Sequence, residues 1–415
     1  MSSLWHHRDF RFLWAGETVS EFGSMISGVA LALLAVKTLH ASAFDTSILA
    51  AAGTASFLLV GLPAGAWVDR MKRRPVMIVS DLGRLVALGS IPLAYALGIL
   101  TLFQLYVVVF LAGTFTVFFD VAYQSYLPSL VGSDALVEGN SKLTSTSTLA
   151  QVAGPAVAGG LVQIIGAAAA VLIDAASFAV SAFAIIFIRT KELEVKARTH
   201  PNLRSEIGEG LNFLWHQPIL RAVALTTSTS NFFGSMMYAV EVFFLYRVLH
   251  IHAAVIGIIF SVGGIGGFLG SISASRIAAK IGSARATILG IVTGVSALVV
   301  PIATHADGPY LMAFAGFATG FGSVVYNVNQ VSFRQRLCPP ELLGRMNASM
   351  RFLVWGVMPI GGLIGGVISL VWPVRVSLWV GAIGMNFAVL WLVTSPLGKM
   401  RDFPDTPSHV GEIAS

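Results

Sequence analysis

Charge is what this chain has least of. Asp, Glu, Lys and Arg make up 11% of its 415 residues, where a soluble domain carries about 25%. Hydrophobic residues make up 55%, and the mean hydropathy is +0.79. That balance excludes a soluble fold and implies an integral membrane protein. Cysteine is nearly absent: Cys338 stands alone, so no intrachain disulfide can form, and nothing around it has metal-ligand spacing. His6, His7, His200, His216, His250, His252 and His305 fall in tails or loops, so no metal site is expected. No Gly-rich phosphate loop followed by Lys and Ser or Thr occurs, which excludes ATP-driven transport by this chain, and no catalytic constellation or cofactor motif appears. The opening MSSLWHHRDFRFLW has no cleavable small-residue site and runs into a long apolar span, so no secretory signal is expected.

What is present is length without polarity. Twelve stretches can each cross about 30 Å of hydrocarbon, at roughly 20 residues apiece. They are expected at 11–39, 47–68, 76–98, 102–130, 139–165, 167–189, 220–249, 254–275, 283–302, 309–335, 341–369 and 374–397. The 42 glycines suit close approach of such helices. A net charge of +6 raises nucleic acid as a partner, but the basic residues cluster in short loops, which topology explains better. With the N-terminus in the cytoplasm, most of the 26 Lys and Arg lie inside, and Lys37, Arg247 and Arg375 lie near outer ends. Both termini are therefore expected in the cytoplasm.

The chain also repeats itself. GLPAGAWVDRMKRRP at 61–75 returns as GFLGSISASRIAAKIG at 267–282, about 206 residues later. Gly61 falls on Gly267, Arg70 on Arg276 and Arg74 on Lys280, whereas Asp69 falls on uncharged Ser275. At nearly the same offset, residues 124–140 answer 330–347, with Gln124 opposite Gln330 and Asn140 opposite Asn347. Duplication of a half is a common way to build a secondary transporter. The expected fold is all-α, twelve transmembrane helices in two pseudo-symmetric six-helix halves. The expected divisions are 1–189, a linker at 190–218, 219–397, and a tail at 398–415. Within the linker, Leu203, Ile207, Leu211 and Leu214 share a helical face opposite Glu206 and Glu209, as in an amphipathic surface helix.

The loop at 61–75, with Gly65, Asp69, Arg70, Arg73 and Arg74, resembles the signature between the second and third helices of the major facilitator superfamily, although Lys72 stands where that family usually has Gly. The resemblance implies a gating loop in which Asp69 closes against the start of the eleventh helix, near Leu342 to Arg345, where a helix dipole favours a carboxylate. Because Ser275 is uncharged, the equivalent latch of the second half is expected to be weaker. The bland alternative is a positive-inside anchor. In the fifth span, Gly154-Pro155 followed by Gly159-Gly160 resembles the antiporter signature of superfamily exporters, with ordinary glycine packing as the alternative. The phrases at 10–31, 118–131, 173–183 and 206–222 are similar to the siderophore-exporter and macrolide-efflux branch, also called transmembrane secretion effectors.

That resemblance implies that the first, fourth, seventh and tenth helices line a central cavity. Candidate proton or substrate groups are then Glu21, Asp120, Gln124, Asn231, Glu241, Asn327 and Arg351, with Asn329 beside them. Glu17, four residues before Glu21, is expected to be solvated near the interface. Glu21 and Asp120 reach comparable depths, and one or both are read as the proton site, unless one pairs statically with Lys142, Arg84 or Arg351. Asp81 and Arg84, three apart, are read as a structural ion pair, and Asp174 as a packing or capping group. Glu241 takes a cationic substrate or pairs with Arg247.

The function implied is export of a bulky small organic molecule by alternating access with proton antiport. The partners would be that substrate, protons and the lipid bilayer, with no nucleic acid, and the working form a monomer. The setting would be the cytoplasmic membrane of a bacterium. Two alternatives stay open: a lysophospholipid or other lipid-like substrate, and a non-transporting receptor or assembly factor on the same scaffold.

Overall fold

The computed structural model describes residues 4–68, 70–132, 135–190, 192, 203–338 and 340–403. Among these the regular structure is helical throughout, as a chain in hydrocarbon requires, since a helix satisfies every backbone polar group within its own segment. The helices are α1 (Arg8–Leu33), α2 (Ala43–Val68), α3 (Arg73–Ala96), α4 (Leu102–Val131), α5 (Leu136–Ile165), α6 (Ala167–Ile186), α7 (Leu203–His216), α8 (Pro218–Phe243), α9 (Ala253–Ile281), α10 (Ser283–Val292), α11 (Gly308–Leu337), α12 (Pro340–Val371) and α13 (Val374–Val393). Among the described residues, ten helices are long and apolar enough to cross a membrane. The other two spans are α8, whose run from Thr226 to Asn231 is polar, and α10 continued by a 3₁₀ segment at Thr293–Val299. All twelve expected spans are therefore helical, and α7 is the helix expected in the linker.

The duplication is visible in backbone detail. α1 and α8 each run into a π-helical turn, Leu34–Thr38 and Phe244–Val248. Each turn is followed by a histidine in the left-handed region, His40 at φ 55° and His250 at φ 53°. These are the two non-glycine residues with positive φ among the described residues, a conformation disfavoured for any side chain with a Cβ. Two strained turns at matching places are hard to obtain except by descent from one ancestral half.

The chain folds into two compact units, one of Met1–His200 with His250–Ser261, the other of Pro201–Leu249 with Val262–Ser415. In the first, α1 packs on α5 and α6, α3 on α4 and α6, and α2 on α4. The start of α1 is tied to the segment after α6 by Asp9, whose carboxylate accepts from the Arg189 amide at 3.0 Å, the Thr190 amide at 2.8 Å and the Thr190 hydroxyl at 2.7 Å. In the second, α8 packs on α12 and α13, α10 on α11, and α7 on α12. The polar run of α8 is spent on these neighbours: Ser228 and Asn231 donate to the carbonyls of Leu353 and Val354, and Thr229 accepts from the Trp391 indole. Leu214 of α7 is fully buried, while Glu209 is exposed and forms an ion pair with Arg345.

Candidate functional site

The charged interior of the first unit is organised by one cation. Arg84, about three turns into α3, is buried, and its guanidinium pairs with Asp81, which is fully buried. The same group lies over two rings, 4.5 Å from the centre of Phe119 on α4 and 4.1 Å from that of Phe178 on α6. The pair expected at three-residue spacing is thus formed, with aromatic faces completing the coordination of the cation. Around it stand carboxyls from three helices. Arg84, Glu21, Asp81 and Asp120 all act electrostatically on Glu17, and Arg84 and the Ser147 hydroxyl act on Glu21. Tyr123, one turn from Asp120, lies in the field of Glu17, Glu21 and Asp120. Asp174 of α6 is buried and accepts from the Ser177 hydroxyl at 3.2 Å; the absence of a side chain on Gly23 makes room for it.

Glu17 overturns the interfacial reading of that residue. Its Oε1 is buried and has no hydrogen-bond partner among the described residues. α1 begins at Arg8, so Glu17 lies nine residues in, or about 13 Å along the axis. Of the static partners considered for these carboxyls, Arg84 is within electrostatic reach. Lys142 instead pairs with Glu138 at 3.4 Å and stacks over Trp5 at 4.2 Å. Arg351 lies over the Trp355 ring at 5.3 Å in the second unit.

The antiporter-like segment of α5 meets the start of α9. The Ala156 amide, next to the ladder position that Pro155 leaves without a donor, donates to the Ser261 hydroxyl at 2.9 Å. A Cβ on Gly159 would lie 2.9 Å from the Gly257 Cα, and one on Gly154 would crowd the Met25 side chain. Gly160, by contrast, has nothing within 4 Å of such a Cβ.

In the loop between α2 and α3, Asp69 lies outside the described residues. Gly61 and Gly65 have open space where a Cβ would stand. Arg70 is exposed. Arg73 and Arg74 open α3, and the Glu192 carboxylate accepts from both of their amides, at 2.8 and 2.6 Å, capping the helix where its dipole favours an anion. The Arg74 guanidinium donates to the carbonyls of Ile185 at 3.1 Å and Ile186 at 2.6 Å, capping the end of α6. The Arg74 side chain is therefore built into a helix end, whereas the Arg73 Nε is buried without a hydrogen-bond partner among the described residues.

Of the remaining candidates, Gln124 is exposed on α4, and Glu241 is half-buried in the last turn of α8 near Tyr238. Asn327 accepts from the Gln330 amide at 2.9 Å, and Asn329 donates to the carbonyl of Val325 in its own helix. The structure thus brings Glu21 and Asp120 together with Glu17, and sets Glu17 and Glu21 within reach of Arg84. Ser261 and Gly257, partners of the α5 segment, carry no signal in the sequence beyond small size.

A polytopic bundle of membrane-length helices, duplicated and holding ionisable side chains inside its halves, defines a membrane transporter. The chain belongs to the Major Facilitator Superfamily, whose profile matches residues 13–359 and again 224–412. It is 28% identical over 342 residues to the multidrug efflux pump Tap of Mycolicibacterium fortuitum, covering 80% of this chain and 82% of that one. It is 24% identical over 368 residues to macrolide efflux protein A of Streptococcus pyogenes, covering 87% and 89%. Among solved structures, a bacterial homologue of the iron transporter ferroportin in an inward-facing state aligns at a TM-score of 0.72, with 17% identity over 93% of this chain and 98% of that one. A POT family transporter aligns at 0.73 with 13% identity over 93% and 96%.

Proposed function

We propose that this transporter exports a bulky small organic molecule in exchange for protons. The observation that carries the reading is the ratio of carboxyls to cations around Arg84. Glu17, Asp81 and Asp174 approach it together with Glu21, and one guanidinium offsets one carboxylate. In low dielectric, further unpaired carboxylates are too costly to hold ionised together. Protons are then part of the cluster, and Glu17, whose Oε1 has no partner among the described residues, is the group free to exchange one. Glu21 and Asp120 are its proton-sharing neighbours. The efflux relatives support the outward direction and the substrate class. The Pro155 segment resembling the antiporter signature supports exchange.

In this reading the protein acts as a monomer in a bacterial cytoplasmic membrane with both termini inside. The halves 1–189 and 219–397, joined by the linker at 190–218, alternate access to the substrate. The loop from Asp69 to Arg74 contributes to closing the cytoplasmic side. Proteoliposomes under an imposed pH gradient test it: substrate flux follows the gradient and collapses with an uncoupler, and uncoupler-insensitive flux contradicts it.

A further inference from the structure

The first unit surrounds its buried guanidinium with carboxyls; the second does the opposite. Arg334 on α11 and Arg351 on α12 have no carboxylate within ion-pair distance among the described residues. Tyr326, Gln330 and Arg334 share one face of α11, and Asn347, Arg351 and Trp355 share one face of α12, each set at four-residue spacing. The charge of Arg351 acts on Arg334, so the two guanidinium groups repel each other, with no carboxylate paired to either among the described residues.

Three polar atoms on these faces are buried and lack a hydrogen-bond partner among the described residues: the Arg334 Nε, the Gln330 Oε1 and the Asn347 Oδ1. Gln330 is 4% exposed, and its amide nitrogen is already committed to Asn327. Arg334 is half-buried with its Nε withdrawn from water, unlike a topological anchor, which reaches water or lipid phosphate with its whole head, while Arg351 is exposed. Arg351 lies eleven residues into α12, or about 16 Å along its axis.

Two guanidinium forks match the oxygens of a carboxylate, sulfonate or phosphate, and the two amide oxygens are acceptors for N–H or O–H groups. Trp355, under the Arg351 guanidinium, offers an aromatic wall. We infer that Arg334 and Arg351 form an oxyanion subsite in the C-terminal half, and that molecules with an acidic group on an aromatic or apolar body bearing hydrogen-bond donors are among those this transporter carries. The inference rests on the reading of the chain as a carrier of small organic molecules and leaves its proton coupling aside.

Calorimetric titration of the full-length protein in phosphatidylcholine nanodiscs, with no pH gradient, tests it with 1-naphthoate and 1-naphthamide as probes. The acid is expected to bind at least about tenfold more tightly than the amide. Arg334→Gln and Arg351→Gln each reduce that preference to below about threefold while leaving amide binding in place, and Arg351→Lys retains part of it. Asn347→Asp, which keeps the arginines and puts a negative charge beside them, lowers acid affinity and serves where a glutamine variant fails to fold. Equal binding of acid and amide by the wild type, or a preference untouched in both glutamine variants, overturns the subsite. Loss of naphthoate binding when phosphatidylglycerol replaces part of the phosphatidylcholine overturns the substrate as occupant and gives the site to a lipid headgroup. Because binding is read without a gradient, failure here and failure of proton exchange in proteoliposomes are separate results.

Discussion

Gly159 of α5 and Gly257 of α9 touch backbone to backbone: a Cβ added to either would stand 2.9 Å from the other's Cα and 3.0 Å from its amide nitrogen. No flexible side chain can yield at this crossing, so the two helices hold a fixed separation there. The Ala156 amide bonded to Ser261 a turn away adds a polar tie to the same contact.

Gly159→Ala and Gly257→Ala are therefore each expected to destabilise the protein by about 1–3 kcal/mol through overpacking, and the double variant by less than the sum, since either change already parts the helices. Gly160→Ala, with open space around it, is the neutral control. Melting of the detergent-solubilised variants separates these outcomes. Equal losses at Gly159 and Gly160 would show that the close contact does not set the cost.

Arg84→Gln is expected to cost about 3–5 kcal/mol, because it strands the buried Asp81 carboxylate. Asp81→Asn combined with Arg84→Gln recovers part of that loss, as the stranded charge is removed with its partner. A double-mutant cycle in thermal melts reads the coupling.

Much of this was legible in the sequence, and the failures are instructive. The twelve spans follow from apolar length alone, and the Asp81–Arg84 pair follows from three-residue spacing on one helix. Glu17 was misjudged because depth was counted from residue 11, whereas the helix begins at Arg8 behind a cap in which His7 accepts from the Phe10 amide. More fundamentally, periodicity along α1 does not say which helix stands opposite, and Glu17 lies in the field of Arg84 on α3. That Glu192, more than a hundred residues away in the chain, caps the amides of Arg73 and Arg74 at the start of α3 carries no signal in the sequence. The Asp69 latch remains a proposal carried by the resemblance of its loop, with Asp69→Asn expected to abolish export while membrane insertion persists.

Glu192→Gln weakens an N-cap that receives two amides, and a loss of about 0.5–2 kcal/mol is expected. Arg74→Ala frees the carbonyls of Ile185 and Ile186 and is expected to raise amide exchange in the last turn of α6. Hydrogen exchange with mass spectrometry reads both, and unchanged exchange in the peptide spanning 183–190 would show the cap to be dispensable.

The loop before α11 carries a pH dependence of defined sign. The Asp307 carboxylate accepts from the Thr304 hydroxyl and amide, both at 2.6 Å, and these bonds, the hydroxyl first, hold it below the usual aspartate range. A depressed value means the turn is supported above about pH 3.9 and loses that support as pH falls through the lowered range. The protection of the Thr304 amide, taken relative to its intrinsic exchange rate at each pH, should fall on acidification, and Asp307→Asn should remove the pH step.

The central claim is that Glu17, held in the field of Arg84, exchanges the proton that drives export. The most direct measurement is flux of a macrolide, erythromycin, from proteoliposomes with a pH dye inside, comparing the wild type with Glu17→Gln. The wild type should couple erythromycin movement to opposite proton movement and lose it with an uncoupler. Glu17→Gln should still exchange labelled for unlabelled erythromycin across the membrane but show no gradient-driven flux, because a neutral amide cannot cycle a proton. Full gradient-driven transport by Glu17→Gln would contradict the claim.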